Sequence, residues 1–130
     1  MKLSTKSRYG LNACYYLAAE YDEGVNGVPL KRLSSLTGIS ESYLEQIISL
    51  LKKSGIIAAN RGAQGGYYLS KQPSEIVVGD IVRALEDNLE IVGCINTGCV
   101  SGLNCKTKGV WEKVYNAINQ TLNGIKLSDL

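Results

Sequence analysis

The chain has 130 residues, of which 45% are hydrophobic and 20% are charged, and it contains no histidine. This composition is typical of one globular domain with a real core and excludes an intrinsically disordered protein. No apolar run reaches the roughly 18–20 residues that a membrane span requires, and the N-terminus lacks the apolar stretch of a secretory signal. We therefore expect a cytoplasmic protein that does not associate with membranes.

The charge is unevenly distributed along the sequence. The net charge is +2, but residues 1–71 carry nine Lys/Arg against five Asp/Glu, and residues 72–130 carry five against seven. A basic first half fits a nucleic-acid-binding part, and a mildly acidic second half fits a separate sensing or pairing part. We predict a DNA-binding domain over residues 1–72 and a cysteine loop with a dimerisation region over residues 73–130.

The first predicted helix begins after Ser4, whose hydroxyl favours an N-cap, and ends near Tyr21. Leu11, Tyr15 and Ala18 have the spacing of one helical face, and this face is predicted to point to the core.

Two short helices joined by a tight turn follow. The first begins after Pro29 and ends at Gly38, and the second begins after Ser40 and ends at Gly55. This arrangement is typical of a helix-turn-helix motif. The predicted core positions are Leu30, Leu33 and Leu36 in one helix and Leu44, Ile47, Ile48 and Leu51 in the other.

A β-hairpin is predicted directly after these helices. Residues 56–60 and 67–69 have strand composition, and the glycine-rich turn between them begins with Arg61. A hairpin in this position is the wing of a winged helix-turn-helix protein. The fold class predicted is therefore mainly α with a small β-hairpin wing and a long C-terminal dimerisation helix.

Two further helices are predicted on either side of a loop at residues 88–105, which we call the cysteine segment. They cover about residues 76–86 and 106–123. The last helix is apolar over more than one stripe, as expected if it also packs against a second subunit. The apolar positions are Val78, Ile81, Val82 and Leu85 in the first of these helices, and Val110, Trp111, Val114, Tyr115, Ile118 and Leu122 in the last.

The cysteine segment carries Cys94, Cys99 and Cys105, separated by four and five residues. Thiolates are soft metal ligands, and a short loop brings three of them together at little entropic cost. A zinc site usually needs four Cys or His ligands, whereas an iron–sulfur cluster accepts one nitrogen or oxygen ligand in place of a cysteine. We therefore favour an iron–sulfur cluster, with a zinc site and a disulfide plus one free thiol as alternatives. Cys14, inside the first helix, is interpreted as a core residue.

Four segments, in this order, resemble the bacterial winged-helix regulators typified by IscR, NsrR and CymR. They are residues 1–10 (MKLSTKSRYG), 39–46 (ISESYLEQ), 61–67 (RGAQGGY) and 125–130 (IKLSDL). The resemblance spans essentially the whole chain. It implies a homodimeric transcription factor whose winged-helix domains are joined through the C-terminal helix. It also implies, as in many members, an iron–sulfur cluster held by the three cysteines of the segment.

The resemblance leaves the fourth cluster ligand open. IscR-type proteins carry a histidine at the position of Lys108, and NsrR-type proteins carry an aspartate at the position of Arg8. The candidates in this chain are Asp87, Glu90, Asn96 and Lys108. CymR-type members lack the cysteines, so their presence favours the cluster-binding type, with the two-iron form preferred over the four-iron form.

The candidate DNA-contacting residues lie in three places. The front of the second helix of the motif is where such proteins contact base edges, the wing reaches the minor groove or a phosphate, and basic residues near the N-terminus contact phosphates. The structural alternatives are that the side chains at the front of this helix cap it, pack against it, or are simply exposed to solvent. The residues are Ser42, Tyr43, Glu45 and Gln46 in the helix, Arg61 in the wing, and Lys6 and Arg8 near the N-terminus.

These observations predict a homodimeric transcriptional regulator, assigned as a repressor, that binds double-stranded operator DNA and senses an iron–sulfur cluster. Its expected targets, implied by the resemblance, are genes of cluster assembly or cysteine supply. The alternative is a cluster-free regulator of cysteine metabolism that responds to thiol oxidation or to a partner protein. An enzyme is not expected, since a thiol redox enzyme would need a Cys-x-x-Cys pair or a histidine base.

Overall fold

The computed structural model describes residues 3–21, 27–62, 65–87, 89 and 106–130. Over these ranges the chain forms five α-helices and one two-stranded antiparallel sheet, which is the mainly helical architecture predicted. In chain order the elements are α1 (Thr5–Ala19), α2 (Leu30–Thr37), α3 (Glu41–Lys53), β1 (Ile57–Asn60), β2 (Gly66–Leu69), a 3-10 helix (Pro73–Glu75), α4 (Val78–Leu85), α5 (Lys108–Gly124) and a second 3-10 helix (Leu127–Asp129).

Helix α1 begins where predicted but turns a different face to the core. The predicted face of Leu11, Tyr15 and Ala18 is wrong: Tyr15 is 41% exposed, and the other two lie at the edge of the core. Helix α1 contacts α2, α3 and α4, and small side chains allow several helices to approach it closely. The buried residues of α1 are Ser7, Gly10, Ala13, Cys14 and Leu17.

The predicted core faces of the next two helices are confirmed. Leu33 of α2 is fully buried, with Leu30 and Leu36 partly buried beside it. All four predicted positions of α3 lie in the same core cluster as the buried residues of α1. We call α1 to α4, together with the hairpin, the head of the molecule.

The predicted hairpin is present as β1 and β2, with Ile57 paired to Leu69 and Asn60 paired to Gly66. A third stretch of chain joins its other edge: the Val28 N–H donates to the Tyr67 carbonyl oxygen over 2.7 Å, and the Tyr67 N–H donates back over 2.8 Å. Gly66 makes this approach possible, since a Cβ there would lie 2.4 Å from the carbonyl carbon of Val28. The hairpin is thereby fixed to the segment that leads into α2.

Helix α4 and the C-terminal residues complete the core. The predicted stripe of α4 is confirmed, because all four of its residues are buried. Leu127 is 1% exposed and belongs to the same cluster, and its N–H donates to the Ile76 carbonyl oxygen over 2.8 Å. The core therefore draws on both sides of residue 72, while the division into two domains at that position stays a prediction.

Helix α5 differs from the other helices in having no buried residue. Val110, Trp111 and Val114 are 53%, 37% and 40% exposed. Its C-terminal end is held to α4, where the Arg83 guanidinium donates to the Asn123 side-chain oxygen over 2.7 Å. No helix in the described ranges is long and apolar enough to cross a lipid bilayer.

Candidate nucleic-acid interface

The turn between α2 and α3 is fixed by hydrogen bonds that the local sequence provides. Gly38 adopts a positive φ of 74° and ends α2. The Thr37 hydroxyl donates to the Leu33 carbonyl oxygen over 2.8 Å and accepts from the Ile39 N–H over 3.2 Å. The Ser34 hydroxyl donates to the Ile39 carbonyl oxygen over 2.5 Å. These contacts set the direction in which α3 leaves the turn.

The N-terminus of α3 is capped and faces solvent. The Ser40 hydroxyl accepts from the Tyr43 N–H over 3.2 Å, so the predicted cap is confirmed. Backbone N–H groups at a helix N-terminus carry partial positive charge, and Glu41 in the first turn of α3 places a negative charge beside them. Lys52 and Lys53 extend positive charge to the opposite end of the helix.

Three of the four side chains predicted at the front of α3 are exposed: Ser42, Glu45 and Gln46. Tyr43 is half-buried, and its ring packs edge-on against Tyr9 of α1 with centroids 5.8 Å apart and an interplanar angle of 84°. Tyr43 therefore joins α3 to α1, which is the packing alternative for this residue. Its contact with DNA stays a prediction.

An open groove of about 520 Å³ runs along the outer face of α3. Strand β2 contributes Tyr67 to one side of it, and Glu45, Ser49, Lys52 and Lys53 line the helix side. The groove therefore lies between the outer face of α3 and the hairpin.

Arg61 lies at the end of β1, at the start of the hairpin turn, and is exposed. Among the described residues it has no hydrogen-bond or ion-pair partner, so its guanidinium is available for a ligand. Gly62 beside it has a φ of +114°, which only glycine adopts readily, and a Cβ at Gly62 would meet open space. Gly62 is therefore explained by the backbone conformation of the hairpin turn.

Lys6 and Arg8 are exposed on the first turns of α1. Because Tyr9 of the same helix touches Tyr43, these two basic residues and the front of α3 belong to neighbouring parts of the head. The contact of Lys6 and Arg8 with DNA phosphates stays a prediction.

Glu86 is a residue of this region that sequence reasoning missed. Its Oε1 accepts hydrogen bonds from the Ser4 N–H and the Ser7 hydroxyl, both over 2.6 Å. Burial acts to raise the pKa of Glu86, but the hydrogen bonds from Ser7 and Ser4 and the charge of Lys6 outweigh it, so this pKa lies below its ordinary value of 4.5. No local pattern signals the contact, since 79 and 82 positions separate the partners.

The three cysteines predicted as metal ligands, Cys94, Cys99 and Cys105, lie outside the described residues. Cys14 is described: it is fully buried, and burial raises the pKa of its thiol to about 12. The interpretation of Cys14 as a core residue is confirmed. Within the described ranges, no group of three or more Cys, Asp or Glu side chains is arranged to hold a metal.

Comparison with known proteins identifies the same type of molecule. The family model Rrf2, described as an iron-dependent transcriptional regulator, matches residues 3–130. The transcriptional regulator IscR of Aliivibrio salmonicida is 40% identical over 131 aligned positions, which cover the whole of this chain and 77% of that protein.

Two solved structures have the same fold. IscR of T. potens superposes with a TM-score of 0.79 and 43% identity, over 99% of this chain and 85% of that one. CymR, the global cysteine regulator of B. subtilis, superposes with a TM-score of 0.81 and 34% identity, over 99% and 95% of the two chains. The hairpin that follows α3 is therefore the wing of a winged-helix regulator.

The capped helix-turn-helix, its exposed outer face and the full-length family match together establish the class of this protein. The chain belongs to the Rrf2 family of transcriptional regulators, and it is a DNA-binding regulator rather than an enzyme.

Proposed function

We propose that the chain acts as a homodimer, reads an operator with α3 and the wing, and changes its affinity for that operator when an iron–sulfur cluster is bound by the cysteine segment. The base-contacting side chains would be Ser42, Tyr43, Glu45 and Gln46. Arg61, Lys6 and Arg8 would contact the sugar–phosphate backbone or the minor groove. The observation that supports the DNA-contact proposal is the exposed polar outer face of α3, whose last turn carries the basic Lys52 and Lys53.

The chemistry of the side chains supports this assignment of base contacts and backbone contacts. A glutamine side chain pairs with adenine through two hydrogen bonds, and a serine hydroxyl bonds to several base edges. Lys6 and Arg8, which are exposed on α1, would hold the head on the duplex through phosphate contacts without reading its sequence.

The case for a dimer rests on α5. Its exposed Val110, Trp111 and Val114 lie on one side of the helix at spacings of one, three and four residues. A stripe of this kind facing water is unfavourable, and a second copy of α5 would cover it. Two-fold pairing would also set the separation of the two heads, which must match half-sites about 34 Å apart or multiples of that distance.

The case for the cluster rests on the set of donors in the sequence. Cys94, Cys99 and Cys105 supply three thiolates within twelve residues, whereas Cys14 is fully buried in the core of the head. The fourth ligand would then be a nitrogen or oxygen atom, a ligand type that iron–sulfur centres accept. When bound, the cluster would supply a redox- and iron-dependent crosslink of the segment. The two-iron form and targets in cluster assembly or cysteine supply complete the proposal.

The DNA contacts are tested with duplexes selected in vitro by the wild-type protein. Replacing Gln46→Ala should weaken binding to the selected operator by about 5- to 150-fold, corresponding to about 1–3 kcal/mol for a bidentate base contact, and should leave binding to random duplex unchanged. Lys6→Ala should weaken both and reduce the slope of log affinity against log salt by about 1. Lys113→Ala, an exposed lysine of α5, is the control and should change neither.

The dimer is tested by light scattering after size exclusion. Val114→Glu places a charge within the apolar stripe and should shift the protein from dimer to monomer. Asn116→Glu adds the same charge on the opposite side of α5, by the 3.6-residue period, and should remain dimeric. A monomeric wild type, or equal behaviour of the two variants, would exclude the α5 interface.

The cluster is tested by reconstitution with iron and sulfide without oxygen. Wild-type protein should gain visible absorption and bound iron. A variant with all three segment cysteines changed to alanine should gain neither, whereas Cys14→Ala should behave as wild type. Colourless, iron-free wild-type protein would refute cluster binding.

The similarity to CymR supports a second candidate, a cluster-free regulator that responds to thiol oxidation or to a partner enzyme. In that case operator affinity would be unchanged by iron loading and would change with oxidant or with the partner. The same binding assay, repeated with iron and then with peroxide, separates the two candidates.

A further inference from the structure

Glu86 lies where the head meets the cysteine segment. It directly follows α4, and its N–H still donates to the Val82 carbonyl oxygen over 2.8 Å. In sequence it precedes Cys94 by eight positions. Glu86 is thus among the last residues of the head before the segment begins in the chain.

The Glu86 side chain connects the end of α4 to the first turn of α1. One carboxylate oxygen accepts from both the Ser4 N–H and the Ser7 hydroxyl over 2.6 Å. Ser7 is only 2% exposed, so water does not readily replace this partner. Short, charge-assisted hydrogen bonds of this kind are among the stronger ones in proteins.

The contact with Glu86 places a negative charge beside the N-terminus of α1. Its first turn has no acidic residue of its own and carries Lys6. Negative charge beside a helix N-terminus stabilises the free N–H groups and the helix dipole, and positive charge there does the opposite. Glu86 therefore supplies from α4 the negative charge that α1 lacks.

The turn that Glu86 holds is also the turn that faces DNA in the proposed function. Lys6 and Arg8 lie on it, and the next residue, Tyr9, packs on Tyr43 of α3. A shift of this turn would move Lys6 and Arg8, the two proposed phosphate-contacting residues. It would also change the packing of Tyr9 against Tyr43 at the front of α3.

Helix α4 packs closely on α1. Gly10 of α1 lies against Leu85 of α4 so closely that a Cβ at Gly10 would be 2.1 Å from the Leu85 Cδ1. At its other end, α4 is joined to the C-terminal residues, since the Val78 N–H donates to the Ile125 carbonyl oxygen over 2.8 Å. The Glu86 hydrogen bonds therefore join the first turn of α1 to a helix that is itself anchored in the head.

We infer that Glu86 is the positioning residue through which the state of the cysteine segment is transmitted to the DNA-binding surface, by way of its hydrogen bonds to Ser4 and Ser7. This inference rests on the proposed cluster function for its trigger and on the described contacts for its route.

The test measures how strongly iron loading changes DNA affinity. The ratio of dissociation constants for the selected operator is taken between iron-loaded protein and the same protein with the three segment cysteines changed to alanine. In the wild-type background this ratio should differ from 1 by about tenfold, within the ordinary range of coupling between sites. With Glu86→Ala in both proteins it should fall to within about threefold of 1 while bound iron per chain stays at the wild-type level.

Three further variants separate positioning from general destabilisation. Ser7→Ala removes one donor and keeps the carboxylate, so the ratio should also fall. Glu86→Gln keeps an acceptor at the same place and should restore at least half of the logarithm of the ratio. Glu75→Ala removes an exposed carboxylate from the 3-10 helix before α4 and should leave the ratio unchanged. An undiminished ratio in folded, iron-loaded Glu86→Ala and Ser7→Ala proteins overturns the inference and leaves the proposed function intact.

Hydrogen exchange provides a measurement that does not depend on iron. In the background with the three segment cysteines changed to alanine, amide exchange over residues 4–8 should be faster in Glu86→Ala than in the parent, and Glu75→Ala should match the parent. If wild-type protein binds no iron, the sensing function fails, and the exchange result alone decides whether Glu86 positions α1. Unchanged exchange overturns that role.

Discussion

Helices α3 and α5 both carry an apolar stripe along a polar helix, but only α3 covers its stripe within the chain. Leu44, Ile47 and Leu51 of α3 are fully buried by neighbouring elements of the head. In α5 no residue is buried, and Val110, Trp111 and Val114 face outward. An amphipathic pattern thus indicates that a face must be covered, and only the packing shows whether the chain itself covers it.

The largest expected effect compares one leucine of α3 with one valine of α5. Leu44→Ala should lower the free energy of unfolding by about 2–5 kcal/mol, because it opens a cavity in the core. Val114→Ala, in protein diluted until it is monomeric, should change it by less than about 0.5 kcal/mol. Urea unfolding followed by circular dichroism gives both values. Similar losses in the two variants would contradict the difference described between these helices.

The next effect concerns the contact between α4 and α1. Glu86→Ala leaves the buried Ser7 hydroxyl without its partner and should cost about 1–3 kcal/mol at neutral pH. Because the pKa of Glu86 is lowered in the folded protein, its charge stabilises the fold above the carboxyl's ordinary pKa of 4.5 and ceases to do so as the pH falls through the folded value. The stability difference between wild type and Glu86→Gln should therefore shrink towards zero in that acid range. A difference that stayed constant with pH would argue against an ionised Glu86 carboxylate in the contact between α4 and α1.

A smaller effect is expected at the α3 cap. Ser40→Ala removes the acceptor for the Tyr43 N–H and should lower the free energy of unfolding by about 1 kcal/mol. Ser49→Ala, on the exposed face of the same helix, is the matched control and should be neutral or slightly stabilising, since alanine favours helix. Thermal unfolding of the two variants measures the difference.

The smallest expected effect is a change in the fluorescence of α5, and its test changes no residue of the head. Trp111 is the only tryptophan in the chain and lies on the exposed stripe of α5. If a second copy covers it, its fluorescence maximum should shift to shorter wavelength as protein concentration rises through the dimerisation range. Asn116→Glu should keep this dependence and Val114→Glu should abolish it. An emission maximum independent of concentration in wild type and both variants would count against covering by a second copy.

Much of the head could be predicted from the sequence because its signals are local. Ser40 as a cap, Gly38 as a helix end and the i, i+3, i+4, i+7 stripe of α3 each depend on residues within one or two turns. The exposed positions of Ser42, Glu45, Gln46 and Arg61 follow from the same periodicity and from the hairpin turn.

The tertiary structure decided what depends on residues distant in sequence. The core face of α1 was mispredicted because the packing of three neighbouring helices buries its small residues. The local sequence pattern of α1 contains no information on how those helices are arranged. The carboxylate that supports α1 comes from Glu86 after α4, and Leu127 near the C-terminus enters the core of the head. The physical reason is that hydrogen bonding and burial depend on distance in space, whereas a sequence pattern records only the neighbours along the chain.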